Sequence, residues 1–238
     1  MSDALPRDQS DAAPDANDPR VQRTRQALVR ALTELIADKG YDAITIAELV
    51  ERAKVKRSTF YVHFRDKGEL FSYAIAERGE HIRGVIEPLS IAASISAEAV
   101  FAAWVDIYRY LQQDASFFAA ALCNVNASAQ AEALFSRFAM HAIEQISEAA
   151  HEKDRDDPLQ VEASAHFVAG GVLALWRWWL ARGAQETPQD MALRTLRVLS
   201  EGVYRYFGGE SQSLDKLAET FLRERRGGRG DGKRRGSS

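Results

Sequence analysis

A chain of 238 residues with a single cysteine, Cys123, can form no intramolecular disulfide. Packing must hold its core, and a reducing cytoplasm suits it. Long hydrophobic runs are missing as well. The longest, from Phe167 to Trp176, stops at Arg177, well short of the roughly 20 residues a membrane-spanning helix needs. The opening stretch MSDALPRDQSDAAPDAND is acidic and has no apolar centre, so it is not expected to act as a signal peptide. His81, His141, His151 and His166 have no paired ligand three or four residues on, and no phosphate-binding glycine loop follows a strand. No metal, no cofactor and no enzymatic activity are expected. Cys123 has no nucleophile context and is expected to be a small buried apolar residue.

A net positive charge is also lacking. The formal charge is -3, which taken whole does not suggest a polyanion partner. The distribution does. Residues 20–67 carry eleven Lys/Arg against six Asp/Glu, and residues 223–238 carry seven against two. The first 18 residues hold five Asp and one Arg. A basic head on an acidic body orients a molecule on a polyanion.

What is present is organised around Thr45–Phe71, TIAELVERAKVKRSTFYVHFRDKGELF. Ile46, Leu49, Val50 and Ala53 make one helical stripe, Phe60 and Phe64 a second, and Leu70, Phe71, Ala74 and Ile75 a third. Thr45 with Glu48 is a capping box that starts a helix at Ile46, and Asp66 with Glu69 repeats the device. The middle helix has no cap. It opens on Lys56 and Arg57, the unfavourable charge for a helix N-terminus, at about 0.3–1 kcal/mol each. An anion opposite them, phosphate or a guanine edge, offsets that cost; solvated cations on a surface turn are the plain alternative. Two short helices around a tight turn, the second rich in cations and hydroxyls, form the pattern of a helix-turn-helix.

By chemistry, Lys56 and Arg57 suit phosphate or guanine O6/N7. Ser58 and Thr59 are short enough to approach bases or phosphates. Thr45 and Lys67 sit at helix starts, where the dipole favours an anion. Phe60 and Phe64 read as core.

GYDAITIAELVERAKVKRSTFYVHFRDKGELF resembles the DNA-binding motif of the TetR/AcrR transcriptional regulators, from about Arg23 to Phe71. Thr45, Ile46, Ala47, Ala53, Val55, Thr59, Phe60, Tyr61, His63, Phe64, Lys67 and Leu70 fall on motif positions. The resemblance implies an all-α protein: a three-helix DNA-binding domain, then a larger helical domain for effector binding and dimerisation. It implies phosphate contacts from Tyr61 and His63, and release of DNA when an effector binds. Two positions depart from the family. Lys54 stands at a turn where glycine is frequent, and a left-handed backbone there strains a residue with a Cβ by about 1–2 kcal/mol. Lys56 stands where Ser or Asn is frequent, so no operator sequence carries over from a relative.

The remaining chain reads as helices. Asp18 caps a first helix from about Pro19 to Lys39, stopped by Gly40. The helix from Asp66 is expected to reach about Val85, with Pro88 as its end or a break. Ser96 caps a helix striped by Val100, Phe101, Trp104, Ile107, Tyr108 and Leu111. Asp114 caps a short one from Ala115 to Cys123, and Ala127 to about Glu152 reads as a long one. Val161–Arg182 is apolar on nearly all faces and must be buried on more than one side. Gly170 and Gly171, at about 1 kcal/mol each in a helix interior, suit a close approach of another backbone. Thr187-Pro188-Gln189-Asp190 starts a last helix to about Phe207. These last two helices are expected to form a homodimer four-helix bundle through Phe167, Gly170, Gly171, Trp178, Leu196, Leu199 and Val203; a buried helix of a monomer is the alternative. The domains are then an acidic tail over 1–18, a helix-turn-helix domain over 19–65, an effector and dimerisation domain over 66–207 and a flexible basic tail over 208–238.

The expected function is a cytoplasmic dimeric repressor that binds a palindromic site in double-stranded DNA and leaves it on binding a small apolar or aromatic effector. Trp104, Tyr108, Phe118, Phe138 and Trp176 are the candidate pocket lining, although core packing alone also places such rings inside. A helical DNA organiser or interaction protein without an effector is the alternative.

Overall fold

The computed structural model describes residues 18–91, 96–123, 133, 136 and 158–199, and every regular element among them is an α-helix. The expected helix over 127–152, the pocket residue Phe138, the interface residue Val203, the last helix beyond Leu199 and both tails lie outside the described residues.

The chain divides into two compact units, 1–74 and 75–238. In the first, α1 spans Pro19–Lys39, α2 Ile46–Ala53 and α3 Arg57–His63. Local chemistry sets these limits. The Asp18 carboxylate accepts the Arg20 N–H at 2.7 Å. Gly40 ends α1 at φ 79°, a conformation a side chain would strain, and its N–H reaches the Ile36 carbonyl. Thr45 and Glu48 close the expected capping box on α2. Lys54 does hold the left-handed backbone, φ 56° and ψ 41°, that turns α2 into α3.

The core of this unit comes from Leu28, Leu32, Leu35 and Ile36 on α1, with Leu49, Phe60, Phe64, Leu70 and Phe71. On α2 only Leu49 is fully buried, while Ile46 and Val50 are half-buried. Ile44, just before the helix, supplies the further apolar contact. Arg52 ties α2 to α1 through Glu34 at 3.1 Å and Asp38 at 3.0 Å; such exposed pairs add only about 0–1 kcal/mol each.

Helix α4, Lys67–Ile91, gives its first turns to this unit and the rest to the second. It runs through Pro88 rather than stopping near Val85. Proline there removes one backbone donor from the helix. Its start carries the second expected cap: Asp66 Oδ1 accepts the Glu69 N–H at 2.8 Å.

In the second unit, α5 spans Ala97–Gln113 behind its Ser96 cap, α6 Ala115–Cys123, α7 Pro158–Ala181 and α8 Pro188–Leu199. Helix α5 packs chiefly on α8, and α6 on α7. Tyr108 and Trp179, both fully buried, meet edge to face at 5.2 Å between centroids. Arg78, almost wholly buried, pairs with Asp114 at 2.9 Å and lies 3.7 Å above the Phe117 ring. Cys123 is exposed, contrary to expectation. It follows the buried Ala121 and Leu122 on α6.

Candidate nucleic-acid interface

Helix α3 shows its two faces plainly. Phe60 and Phe64 point into the core. Lys56, Arg57, Ser58, Tyr61, Val62 and Arg65 are exposed, and Thr59 is half-buried. The i, i+4 spacing of Arg57 and Tyr61 puts one ridge of the helix outward, and Arg65 follows just beyond the helix end. From Ala53 to Arg65 the chain has four Lys/Arg and no acid. The helix starts at Lys56 without a side-chain cap hydrogen bond. At roughly 10 Å long it fits within a major groove about 12 Å wide.

The outer ridge is partly pre-set. Arg57 lies 5.9 Å from the centroid of the Tyr61 ring, and its Nη2 donates to the Tyr61 hydroxyl at 3.4 Å. This contact limits the freedom of both side chains before any partner arrives.

Val62 was not among the candidates, yet it is 58% exposed on that face. An exposed valine between cations suits a thymine methyl, the apolar mark in the major groove. Its signal in the sequence was its place two residues from Phe60 and Phe64, off the buried stripe.

Three candidates are placed differently from Arg57 and Tyr61. The Thr45 hydroxyl donates to Glu48 Oε2 at 2.7 Å, and the Thr45 N–H reaches the same oxygen at 2.9 Å. A carboxylate therefore already occupies the anion position at the start of α2. The Lys39 ammonium beside Glu48 holds that carboxyl at about 2, with help from the Thr45 hydroxyl and N–H. Lys67 turns its ammonium inward, donating to the carbonyls of Tyr41 at 2.9 Å and Ile44 at 3.0 Å. Burial lowers its pKa. Its side chain braces the α1–α2 connection, and Asp66 and Glu69 take the amides around the start of α4. His63 is half-buried, and its pKa is lowered first by burial and then by the charge of Arg25.

In the second unit the pocket candidates are mostly core. Tyr108, Phe118 and Trp176 are buried and Trp104 is half-buried. The Tyr108 hydroxyl is paired with Thr195 Oγ1 at 2.6 Å, and burial pushes its pKa up to about 12. Phe118 packs edge to face on Tyr110 and on Phe117.

The interface candidates divide. Phe167 is 72% and Trp178 45% exposed, and Gly170, Gly171 and Ala174 lie exposed between them. Their spacing draws one bare stripe along α7. A Cβ on either glycine would meet nothing within 4 Å. On the other side of the helix, Ala169, Leu173, Trp176 and Leu180 are buried. Leu199 is half-buried. Leu196, at 4% exposure, packs in its own chain and shares the inner face of α8 with Met191, Ala192 and Thr195.

The comparisons with known proteins point the same way. A model of bacterial regulatory proteins of the tetR family matches residues 28–74, and a model of a transcriptional regulator C-terminal region matches residues 98–201. The chain is similar to YxbF of Bacillus subtilis, an uncharacterized HTH-type transcriptional regulator, at 38% identity over 78 residues, 32% of this chain and 20% of that one. It is similar to the transcriptional regulator AcuR of Cereibacter sphaeroides at 35% identity over 65 residues, 27% of each chain. The match thus spans only a fifth to about a quarter of these relatives. Among solved structures, Bacillus subtilis FadR in complex with stearoyl-CoA aligns with TM-score 0.59 at 15% identity, over 75% of this chain and 98% of that one. NalD, the secondary repressor of the MexAB-OprM multidrug efflux pump in Pseudomonas aeruginosa, aligns with TM-score 0.55 at 17% identity, over 77% and 96%. At such identities the structural likeness is one of fold. With both family models matched in order along a helical chain that opens on a helix-turn-helix, this protein belongs to the TetR family of transcriptional regulators.

Proposed function

We propose that the chain is a cytoplasmic homodimeric repressor that reads a palindromic operator with α3 and leaves it when a small apolar or aromatic effector binds the second unit. The observation that carries the DNA-reading part is the acid-free outer ridge of α3, with Lys56, Arg57, Ser58, Tyr61 and Val62 exposed. Lys56 and Arg57 supply long donors for guanine or phosphate, Ser58 and Thr59 short ones, and Tyr61 a phosphate donor. The bare stripe of Phe167, Gly170, Gly171 and Trp178 on α7, with the 67% exposed Val198 on α8, supports pairing with a second copy. Large exposed apolar side chains grouped on one face mark interaction sites. The effector part rests on likeness: FadR, of similar fold, holds stearoyl-CoA. No observation favours the effector-free organiser.

Selection of genomic fragments bound by the purified protein tests the reading. Enrichment of a two-fold symmetric sequence, bound by a dimer, supports it. Binding without any sequence preference contradicts it.

A further inference from the structure

Arg57 and Tyr61 stand one turn apart on α3, and their side chains touch in two ways. Arg57 Nη2 donates to the Tyr61 hydroxyl at 3.4 Å, and the guanidinium carbon lies 5.9 Å from the ring centroid. The Tyr61 ring is itself held from the core side. It meets Phe60 edge to face, with centroids 5.5 Å apart and planes at 89°, and Phe60 is fully buried. A line of contacts thus runs from the core to an exposed cation: Phe60, Tyr61, Arg57.

A free arginine loses much rotamer freedom when it binds, and that loss weakens the contact it makes. A guanidinium already held by a ring and a hydroxyl has less to lose. The bond to Tyr61 takes one guanidinium N–H and leaves the others for a bidentate contact to guanine O6 and N7. The hydroxyl accepts this bond without giving up its own proton, which stays free for a phosphate oxygen. One hydroxyl can then join a base-reading side chain to the backbone that sets its register.

We propose that Tyr61 is the positioning residue for Arg57: its hydroxyl and ring hold the guanidinium over one base pair while its own O–H anchors on a phosphate, so that base discrimination by Arg57 depends on Tyr61. The inference rests on the DNA-reading role of α3. It differs from a plain phosphate contact, which weakens all sequences alike.

The test has two arms. Without DNA, nitrogen-15 relaxation of the Arg57 Nε–H in the full chain reads the order of the guanidinium, with the signal identified by its loss in Arg57→Ala. Order is expected to be lower in Tyr61→Leu than in the wild type, and equal order overturns the proposal. With DNA, affinities are measured for a selected duplex and for copies changed at one base pair each; their ratio cancels any uniform loss. Arg57→Ala lowers that ratio about fivefold or more at one base pair per half-site. Tyr61→Phe, at a 47% exposed residue, lowers it roughly threefold or more at the same base pair, the scale of one hydrogen bond, and leaves it unchanged elsewhere. The double variant discriminates there no worse than Arg57→Ala alone. A ratio changed by Arg57→Ala and not by Tyr61→Phe overturns the proposal alone, however far overall affinity falls, and so do losses that multiply in the double variant. If Arg57→Ala changes no ratio, Arg57 reads no base, and that reading falls together with the proposal.

Discussion

The ammonium of Lys67, the first residue of α4, donates to the backbone carbonyl of Tyr41 at 2.9 Å and stands 4.3 Å from the centroid of the Tyr41 ring. One cation thereby closes the connection between α1 and α2. By position Lys67 resembles a phosphate contact; by partners it is a brace. Lys67→Met is expected to lower the stability of the protein by about 1–2 kcal/mol, the scale of lost charge-assisted hydrogen bonds at a half-buried site. Its DNA affinity falls for all sequences, but the salt slope of binding stays as in the wild type, because no phosphate loses its cation. Denaturant unfolding and a salt titration of affinity read the two effects separately.

Glu48 predicts a pH signature. Its folded pKa, about 2, lies below the ordinary glutamate value near 4.3. The unfolded chain therefore takes up this proton first as pH falls. The stabilisation is complete above the ordinary value and is lost as pH falls toward 2. Glu48→Gln is expected to flatten the melting temperature against pH in that window and to leave the profile near neutrality unchanged. Thermal unfolding of both proteins across the window checks it.

The stripe on α7 predicts the oligomeric state. Trp178→Glu places a charge on a face that this account buries against a second copy. Sedimentation is expected to show a monomer, or a dimer weakened by at least tenfold, for a charge placed in an apolar interface. DNA affinity falls with it, since each half-site is then held singly. An unchanged dimer places the interface elsewhere.

Much of this was legible because it is local. Asp18 before Pro19, Thr45 with Glu48, Asp66 with Glu69 and Thr187 with Asp190 are helix starts written within four residues, and each forms its bonds in the structure. The outward cations of α3 follow from the inward phenylalanines. What was not legible depends on distant residues. The partners of Lys67 lie 23 to 26 positions away, and no spacing rule reaches them. Helix α7 is apolar on all sides, so its pattern does not say that Leu173 and Trp179 turn inward while Phe167 turns outward. On α8 the apolar stripe is legible, but a stripe does not say whether Leu196 faces its own chain or a second copy. Cys123 suits a buried place by residue type, yet it is exposed.

The central claim is that the exposed ridge of α3 reads base sequence. It is tested most directly by selecting duplexes from a random pool with the wild type, Arg57→Ala and Val62→Ser, and measuring each protein's affinity for each selected sequence. The account predicts symmetric half-sites about 34 Å apart or a multiple of that. It predicts a loss of about 1–3 kcal/mol of discrimination at one base pair per half-site for Arg57→Ala, and a weaker preference for thymine at one position for Val62→Ser. If all three proteins select the same sequences with the same affinities, α3 is not the element that reads DNA.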